Sequence, residues 1–376
     1  MCVSSPCLNS SSNSPGKPSA ERGTVLVLVL LIVALVAGLS VKFAAQYQLG
    51  LARAETRWHG TQARAFLEGT EEVAKLMFPD ADIDSNIDYL GEPWTSEVPI
   101  EDEGVTGFAK MTDATTQFNL NDLARPIDMS KEGLPERYSE PQRRFIRLLQ
   151  TFPDLQLDEN QAELLLAGVV DWIDADENES GSGGAESNFY QSMKEPYRAA
   201  NALFKSVDEL RLVRGFNESP VLVTLLQPYL TVLPVADAGL NINTLDLVGP
   251  YGKGINNLLL CINGSADLQP MNPADMEQFI ALRPSTGFPD KAAISTAWDT
   301  MFAGKPLDID GLNTATKYFW LNSTVQLVDQ RRSMRSLMMR GTEPGSLRVI
   351  RRDDVFELPT VDRGEKDEDG ETELVE

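Results

Sequence analysis

Residues 24–41 carry no charge and only two polar side chains, Thr24 and Ser40, between Arg22-Gly23 on one side and Lys42 on the other. At about 1.5 Å of rise per residue they make roughly 27 Å of helix, close to a bilayer core of about 30 Å. The pattern predicts a membrane-spanning helix. It does not stop at the membrane: no proline occurs from Lys42 to Met77, alanine is frequent, and Ala63, Phe66, Thr70, Val73 and Met77 recur at three- and four-residue spacing. That is the apolar face of an amphipathic helix, and Pro79 ends it. Anchor and stalk together predict one helix of ~80 Å, half in the membrane and half presenting a face to a globular domain.

Beyond it the periodicity changes several times. Residues 80–104, rich in proline, glycine and aspartate, predict a loop, and the Thr-rich alternation of 105–118 a strand. Helical periodicity then dominates: 141–152, 158–173 with Asp158 as cap, 197–204, 208–213, 221–233 closing at Pro234, 246–262, 272–282 capped near Asn272, and 290–303. Strand patterns return at 317–329, 332–339 and 346–352, with a turn at Gly341-Thr-Glu-Pro-Gly345. One short pattern occurs twice, Phe118-Asn-Leu-Asn-Asp-Leu-Ala124 and Leu240-Asn-Ile-Asn-Thr-Leu-Asp246. Its asparagines suit helix caps or Asx turns, so two related helical subdomains are expected. Strand material therefore flanks a helical insertion. The fold class is α+β, a long N-terminal helix packed on a small antiparallel sheet that a large α-helical domain interrupts. The segments are 1–23, 24–41 in the membrane, 42–118 as stalk and first sheet part, 119–310 as the insertion, 311–352 as the closing strands, and 353–376 as a tail.

Charge narrows the partners. The formal net charge is −23, which repels a phosphate backbone and excludes nucleic acid. Part of that charge is local: residues 353–376 hold eleven acids against two bases, the composition of a solvated disordered tail. The cysteines are Cys2, Cys7 and Cys261; the last follows Asn257-Leu-Leu-Leu and reads as a packed thiol. A single histidine, His59, excludes a His-dependent triad and a multi-histidine zinc site. Lys17 and Arg22 place the leader in the cytoplasm and everything past Lys42 outside it.

The leader departs from the order of a common secretory signal, because Arg22-Gly23 precede the apolar run. A basic leader ending in glycine, an apolar run and a long continuous helix resemble the type IV pilin and type II secretion pseudopilin class. The resemblance implies that a prepilin peptidase cuts after Gly23 and methylates Thr24, leaving a single-pass inner-membrane protein with its soluble part in the periplasm. Most of that class carry glutamate at the fifth mature position, thought to pair with the N-terminal amine of the neighbour ahead; this chain has Leu28. That departure, the helical insertion, and the stretch Asp171-Trp-Ile-Asp-Ala-Asp176, Gly184-Ala-Glu186, Tyr190, Tyr197-Arg-Ala-Ala-Asn-Ala202 and Ser206-Val-Asp-Glu-Leu-Arg211 narrow the resemblance to the K-type minor pseudopilin of the type II secretion system. It implies a subunit that caps the pseudopilus tip, packs with the I- and J-type minor pseudopilins, works with the inner-membrane secretion machinery and promotes assembly for protein export.

One stretch has its own chemistry. Asp174, Asp176, Asn178 and Ser180 stand at alternate positions, and Glu186 follows a Gly-rich turn. Alternate oxygens let a tight loop wrap one hard cation, and Ca²⁺ takes six to eight such ligands. The spacing is like an EF-hand loop but lacks its glycine at the sixth position and has Ala185 at the twelfth. On the residues alone, a solvated acidic loop with Asp171 facing solvent fits as well. The resemblance favours structural Ca²⁺ held by Asp174, Asp176, Asn178 and Glu186. Two competing readings remain: an anchored periplasmic enzyme using Asp171, Asp174 and Glu186 as acid and base, and a signal-anchored binding module uncut at Gly23.

Overall fold

The computed structural model describes residues 21–78, 86–102, 104–250, 252, 254–264, 267–328, 330–341 and 346–355. Most of the leader with Cys2 and Cys7, the turn at 342–345 and the tail from 356 lie outside the described residues. In chain order the fold comprises α1 (Glu21–Met77), β1 (Glu97–Asp102), β2 (Val105–Asp113), β3 (Phe118–Asn119), α2 (Glu140–Gln150), α3 (Glu159–Ile173), α4 (Ser187–Gln191), α5 (Pro220–Leu226), β4 (Leu230–Thr231), β5 (Leu240–Asn241), α6 (Asn257–Leu260), α7 (Pro273–Ala281), α8 (Lys291–Met301), β6 (Leu312–Asn313), β7 (Tyr318–Leu327), β8 (Gln330–Arg340) and β9 (Leu347–Val355).

The chain divides after Thr61 into two compact units. In the first, α1 exposes its apolar residues, and among the described residues it is the helix long and apolar enough to cross a membrane, with a mean hydropathy of 3.0 over its best window. In the second, the end of α1 buries Ala63, Leu67, Thr70, Glu71 and Ala74 against the sheet. That sheet has the order β1-β2-β7-β8-β9, antiparallel throughout. Polar teeth fix the helix on it. Thr70 shares a hydrogen bond of 2.7 Å with Ser323, and Glu71 accepts from Ser336 (2.6 Å) and from two nitrogens of Arg352 (2.8 and 2.7 Å). On the sheet, Trp320 is overlaid by the guanidinium groups of Arg335 (3.9 Å) and Arg351 (4.9 Å). Arg335 donates to Gln117, and Arg351 reaches the carbonyls of Lys205 and Val232, so these side chains tie strands to helical block.

β2 and β7 are neighbours, with Asp113 opposite Phe319, yet the whole helical block with its own large core lies between them in the chain. The twice-used Asn pattern holds that block together. Both copies form short parallel bridges, β3 with β4 and β5 with β6, and the first asparagine of each also closes its turn as expected, Asn119 accepting from the Asn121 N–H (3.4 Å) and Asn241 from the Asn243 N–H (3.0 Å). Asn121 donates to the carbonyls of Phe204 (3.1 Å) and Leu233 (2.8 Å) and accepts from the Phe204 N–H (2.7 Å). Asn243 does the same at Phe288 (3.0 Å to the carbonyl, 2.7 Å from the N–H) and at the Thr314 carbonyl (3.2 Å). Each asparagine satisfies backbone that no regular ladder reaches. Asp113, at the end of β2, closes the joint by accepting from Thr244 (2.6 Å) and Asn241 (3.0 Å).

Several expectations are corrected. Residues 80–104 contain β1, hidden by Pro99 and its acids, which an edge strand tolerates. The strand expected over 105–118 stops at Asp113, whose carboxylate caps a 3-10 turn through Thr115 N–H at 2.7 Å. Residues 197–204 are irregular, with Asn201 at φ 44°. The helix expected over 246–262 shrinks to α6, because Gly252 (φ 69°) and Gly254 (φ 66°) turn the chain before it. α5 ends at Leu226, as Pro228 lacks the next N–H, and the chain extends into β4. β9 runs to Val355, so Asp353 and Asp354 belong to a strand and not to the tail. Cys261 is buried, with its thiol donating to the Asn257 carbonyl.

Candidate metal centre

α3 delivers the first ligand candidate. Asp158 and Gln161 form a capping box at its start, and Leu165–Ile173, apolar but for Asp171, are buried along it. The helix closes at Asp174. The chain then loops to Glu186, which precedes α4. A carboxylate oxygen from each of Asp174, Asp176 and Glu186 lies within 4.8 Å of the others.

Three glycines and a buried acid shape the loop. Asp171, fully buried, accepts from the Ser180 N–H at 3.0 Å. A Cβ on Gly184 would come 2.3 Å from Asp171 Oδ2 and 2.7 Å from Ser180 N, so only glycine lets the loop close there. Gly183 lies against the Leu164 backbone in the same way, and Gly181 turns with φ 87°. Glu177 accepts from Ser187 N–H (3.2 Å) and Oγ (3.0 Å) and from Asn201 (3.2 Å), strapping the loop to α4. Below it Trp172 meets Tyr190 edge-on at 5.2 Å, and Tyr190 stacks on Tyr197 at 5.1 Å.

The electrostatics are unbalanced. Both oxygens of Glu186 and Oδ1 of Asp174 are buried without a hydrogen-bond donor. Burial, and then the neighbouring acids Asp171 and Asp174, push Glu186 up to about 8. Burial and then Asp171 and Asp176 push Asp174 up to about 6. Converging carboxylates with no donor fit a hard divalent cation, and an all-oxygen donor set suits Ca²⁺ or Mg²⁺ over softer metals.

Of the four expected ligands, Asp174, Asp176 and Glu186 are brought together. Asn178 stands beside them and orients one, as an Asx turn does: its N–H and Nδ2 both donate to Asp176 Oδ1, at 2.8 and 2.7 Å. Asp171 shapes the loop from inside and does not face solvent. Sequence reasoning missed Glu177 and Asn201; the latter also donates to the Asp176 carbonyl at 3.3 Å. Asn201 stands far along the chain from the loop, so spacing carried no signal of it.

Residues 116–235 match the family model for the type II secretion system (T2SS), protein K. The type II secretion system protein K of Aeromonas hydrophila is 29% identical over 345 residues, covering 89% of this chain and 98% of the relative. That of Pseudomonas aeruginosa is 29% identical over 341 residues, covering 89% and 92%. That of Pectobacterium carotovorum is 31% identical over 231 residues, covering 60% and 67%. In the crystal structure of the GspK-GspI-GspJ complex from the type 2 secretion system of enterotoxigenic Escherichia coli, one chain superposes with a TM-score of 0.66 at 22% identity, covering 81% of this chain and all of that one.

Proposed function

The chain belongs to the type II secretion system protein K family of minor pseudopilins, and from that premise we propose that it is the tip subunit of a pseudopilus. α1 anchors it as a single-pass protein of the inner membrane, with its soluble part in the periplasm. Prepilin peptidase cuts after Gly23 and methylates Thr24. The chain then assembles with I- and J-type minor pseudopilins, starts the fibre and so couples it to protein export through the inner-membrane machinery. It acts by assembly and not by turnover. The observation that carries the tip reading is Leu28. A subunit with no neighbour ahead has no N-terminal amine to bind, and an unpaired carboxylate inside a membrane is costly.

Calcium completes the proposal as a structural ion. Asp174, Asp176 and Glu186 hold it, with Asn178 fixing Asp176. What supports this is the set of buried oxygens without donors. The ion neutralises the crowded acids and holds the loop between α3 and α4 against the Trp172–Tyr190–Tyr197 cluster.

Co-expression tests the assembly. The full chain, solubilised from membranes, should copurify with the I- and J-type subunits, and a strain lacking it should stop exporting its secreted proteins. Recovery of neither subunit would overturn the reading.

A further inference from the structure

We propose that the face of β8 and β9 that carries Arg331, Arg335 and Arg351 is a docking surface for carboxylates, and that its occupant is the acidic segment 365–373 of the same chain, folded back from the end of β9. β8 and β9 carry seven arginines and two acids, in a chain whose formal net charge is −23. Arg340, Arg351 and Arg352 are paired, with Asp88, Asp353 and Glu71. Arg331, Arg332, Arg335 and Arg348 make no ion pair among the described residues.

Arg335 shows the imbalance most clearly. Its guanidinium and that of Arg351 lie over one ring, that of Trp320, at 3.9 and 4.9 Å, so two like charges share one face. Its Nε is buried without an acceptor. Burial, and then Arg351, push it down to about 10. Arg331 stands two alternations before Arg335 on the same strand, hence on the same face, and is exposed. Carboxylates arriving at the open edges of these guanidinium groups make charge-assisted hydrogen bonds and offset the repulsion.

Position, length and pattern name the occupant. Val355 ends β9 opposite Ser333, which lies two positions from Arg331 and two from Arg335. The chain therefore leaves the sheet on this face. Residues 356–364 separate Val355 from Glu365, and a flexible chain of that length has an end-to-end distance of about 15–18 Å. Arg331, Arg335 and Arg351 all lie within four strand positions of Val355 or its partner, about 14 Å along the sheet. Glu365, Asp367, Asp369, Glu371 and Glu373 occupy alternate positions. An extended segment so spaced presents five carboxylates on one side at intervals of about 6.6–6.8 Å, the side-chain period of β8 itself. Tethering gives the segment an effective concentration in the millimolar range. Docked, it screens cations that would otherwise draw the acidic surfaces of other molecules onto this sheet.

The test compares the full chain, solubilised from membranes, with a chain that stops at Val355, and uses a fluorescent peptide of residues 356–376 as the probe. The shortened chain should bind the peptide, at least tenfold more weakly at about 0.5 M than at about 0.05 M salt. The full chain, its face already occupied, should bind it at least tenfold more weakly than the shortened one. Arg331→Glu in the shortened chain should leave the melting temperature unchanged and weaken peptide binding at least fivefold, whereas Lys291→Glu, an exposed cation on α8, should not. If shortening impairs folding, the full chain with Glu365→Gln, Asp367→Asn, Asp369→Asn, Glu371→Gln and Glu373→Gln takes its place and should bind the peptide equally well. In the full chain, Arg331→Cys combined with Asp369→Cys should form a disulfide within one molecule. A peptide that binds neither chain, that binds both equally, or that ignores Arg331→Glu would overturn the proposal. Disulfides formed only between molecules would assign the face to the acidic segment of a second copy and overturn it as well.

Discussion

Glu186 precedes α4 with both oxygens buried and no donor in reach. Its pKa is raised, so the metal-free fold binds more protons than the unfolded chain between the ordinary carboxylate range and about 8. The contribution of these two carboxyls to the stability of the metal-free protein should accordingly be greatest at low pH and fall as pH rises through about 6 and about 8, where Asp174 and Glu186 ionise. Calcium should reverse this. At a hundredfold excess over its dissociation constant it adds about 2.7 kcal/mol, and the rise in melting temperature in calorimetry should be larger at pH 8 than at pH 5. Glu186→Gln should stabilise the EGTA-treated protein at neutral pH and above, by removing a carboxyl that the metal-free fold must hold protonated while the unfolded chain ionises it, and should abolish the calcium response. Calorimetry and metal analysis both without calcium would refute the site. Glu71 shows the opposite sign. Burial raises it, but the hydrogen bonds from Arg352 and Ser336 outweigh burial and hold it below its ordinary 4.5. Glu71→Gln should cost about 1–2 kcal/mol at neutral pH, at the low end because Arg352 is half exposed. The difference from the unaltered protein should vanish as pH falls through the folded-state value. Alternate oxygens made Asp174 and Asp176 legible in the sequence, and the Gly-rich turn pointed to Glu186. The side-chain role of Asn178 was not, since one spacing serves a ligand and an Asx turn equally.

At the scale of elements, legibility followed how local the cause was. α1, α2, α3, α7 and α8 follow from apolar periodicity, and the last four also carry caps written in neighbouring residues such as Asp158, Asn272 and Asp290. The failures are segments whose conformation is fixed from far away. Residues 197–204 have helix-forming alanines, but Asn121 clamps the Phe204 backbone. Residues 246–262 are leucine-rich, yet their glycines set the path, and β1 is recognisable only once β2 is beside it. The first asparagine of each repeated pattern makes the expected local cap or turn, at Asn119 and Asn241, while the second makes a long-range clamp that no spacing announces, at Asn121 and Asn243. Asn121→Ala and Asn243→Ala should each cost about 2–4 kcal/mol, because buried backbone groups lose their partners. The measurement is a lowered urea midpoint with an unchanged m-value; a shift under half a kcal/mol would show that the clamps are ornamental.

At the scale of the molecule, a helical block enters a small sheet between adjacent strands. Asp113, Asn241 and Thr244 join the two at the end of β2, and Arg335 and Arg351 join them across Trp320. The order of elements was enough to expect a sheet interrupted by helices. The sheet order itself depends on pairings that no local pattern encodes. The leader and Leu28 bear on where such a molecule stands in a fibre, and both depend on one processing event. Mass spectrometry of the chain purified from membranes tests that event directly. A mature protein that begins at Thr24 and carries one N-terminal methyl group is the expected result. A chain that still begins at Met1, or one cut beyond residue 41 and released from its apolar helix, would contradict the pseudopilin account.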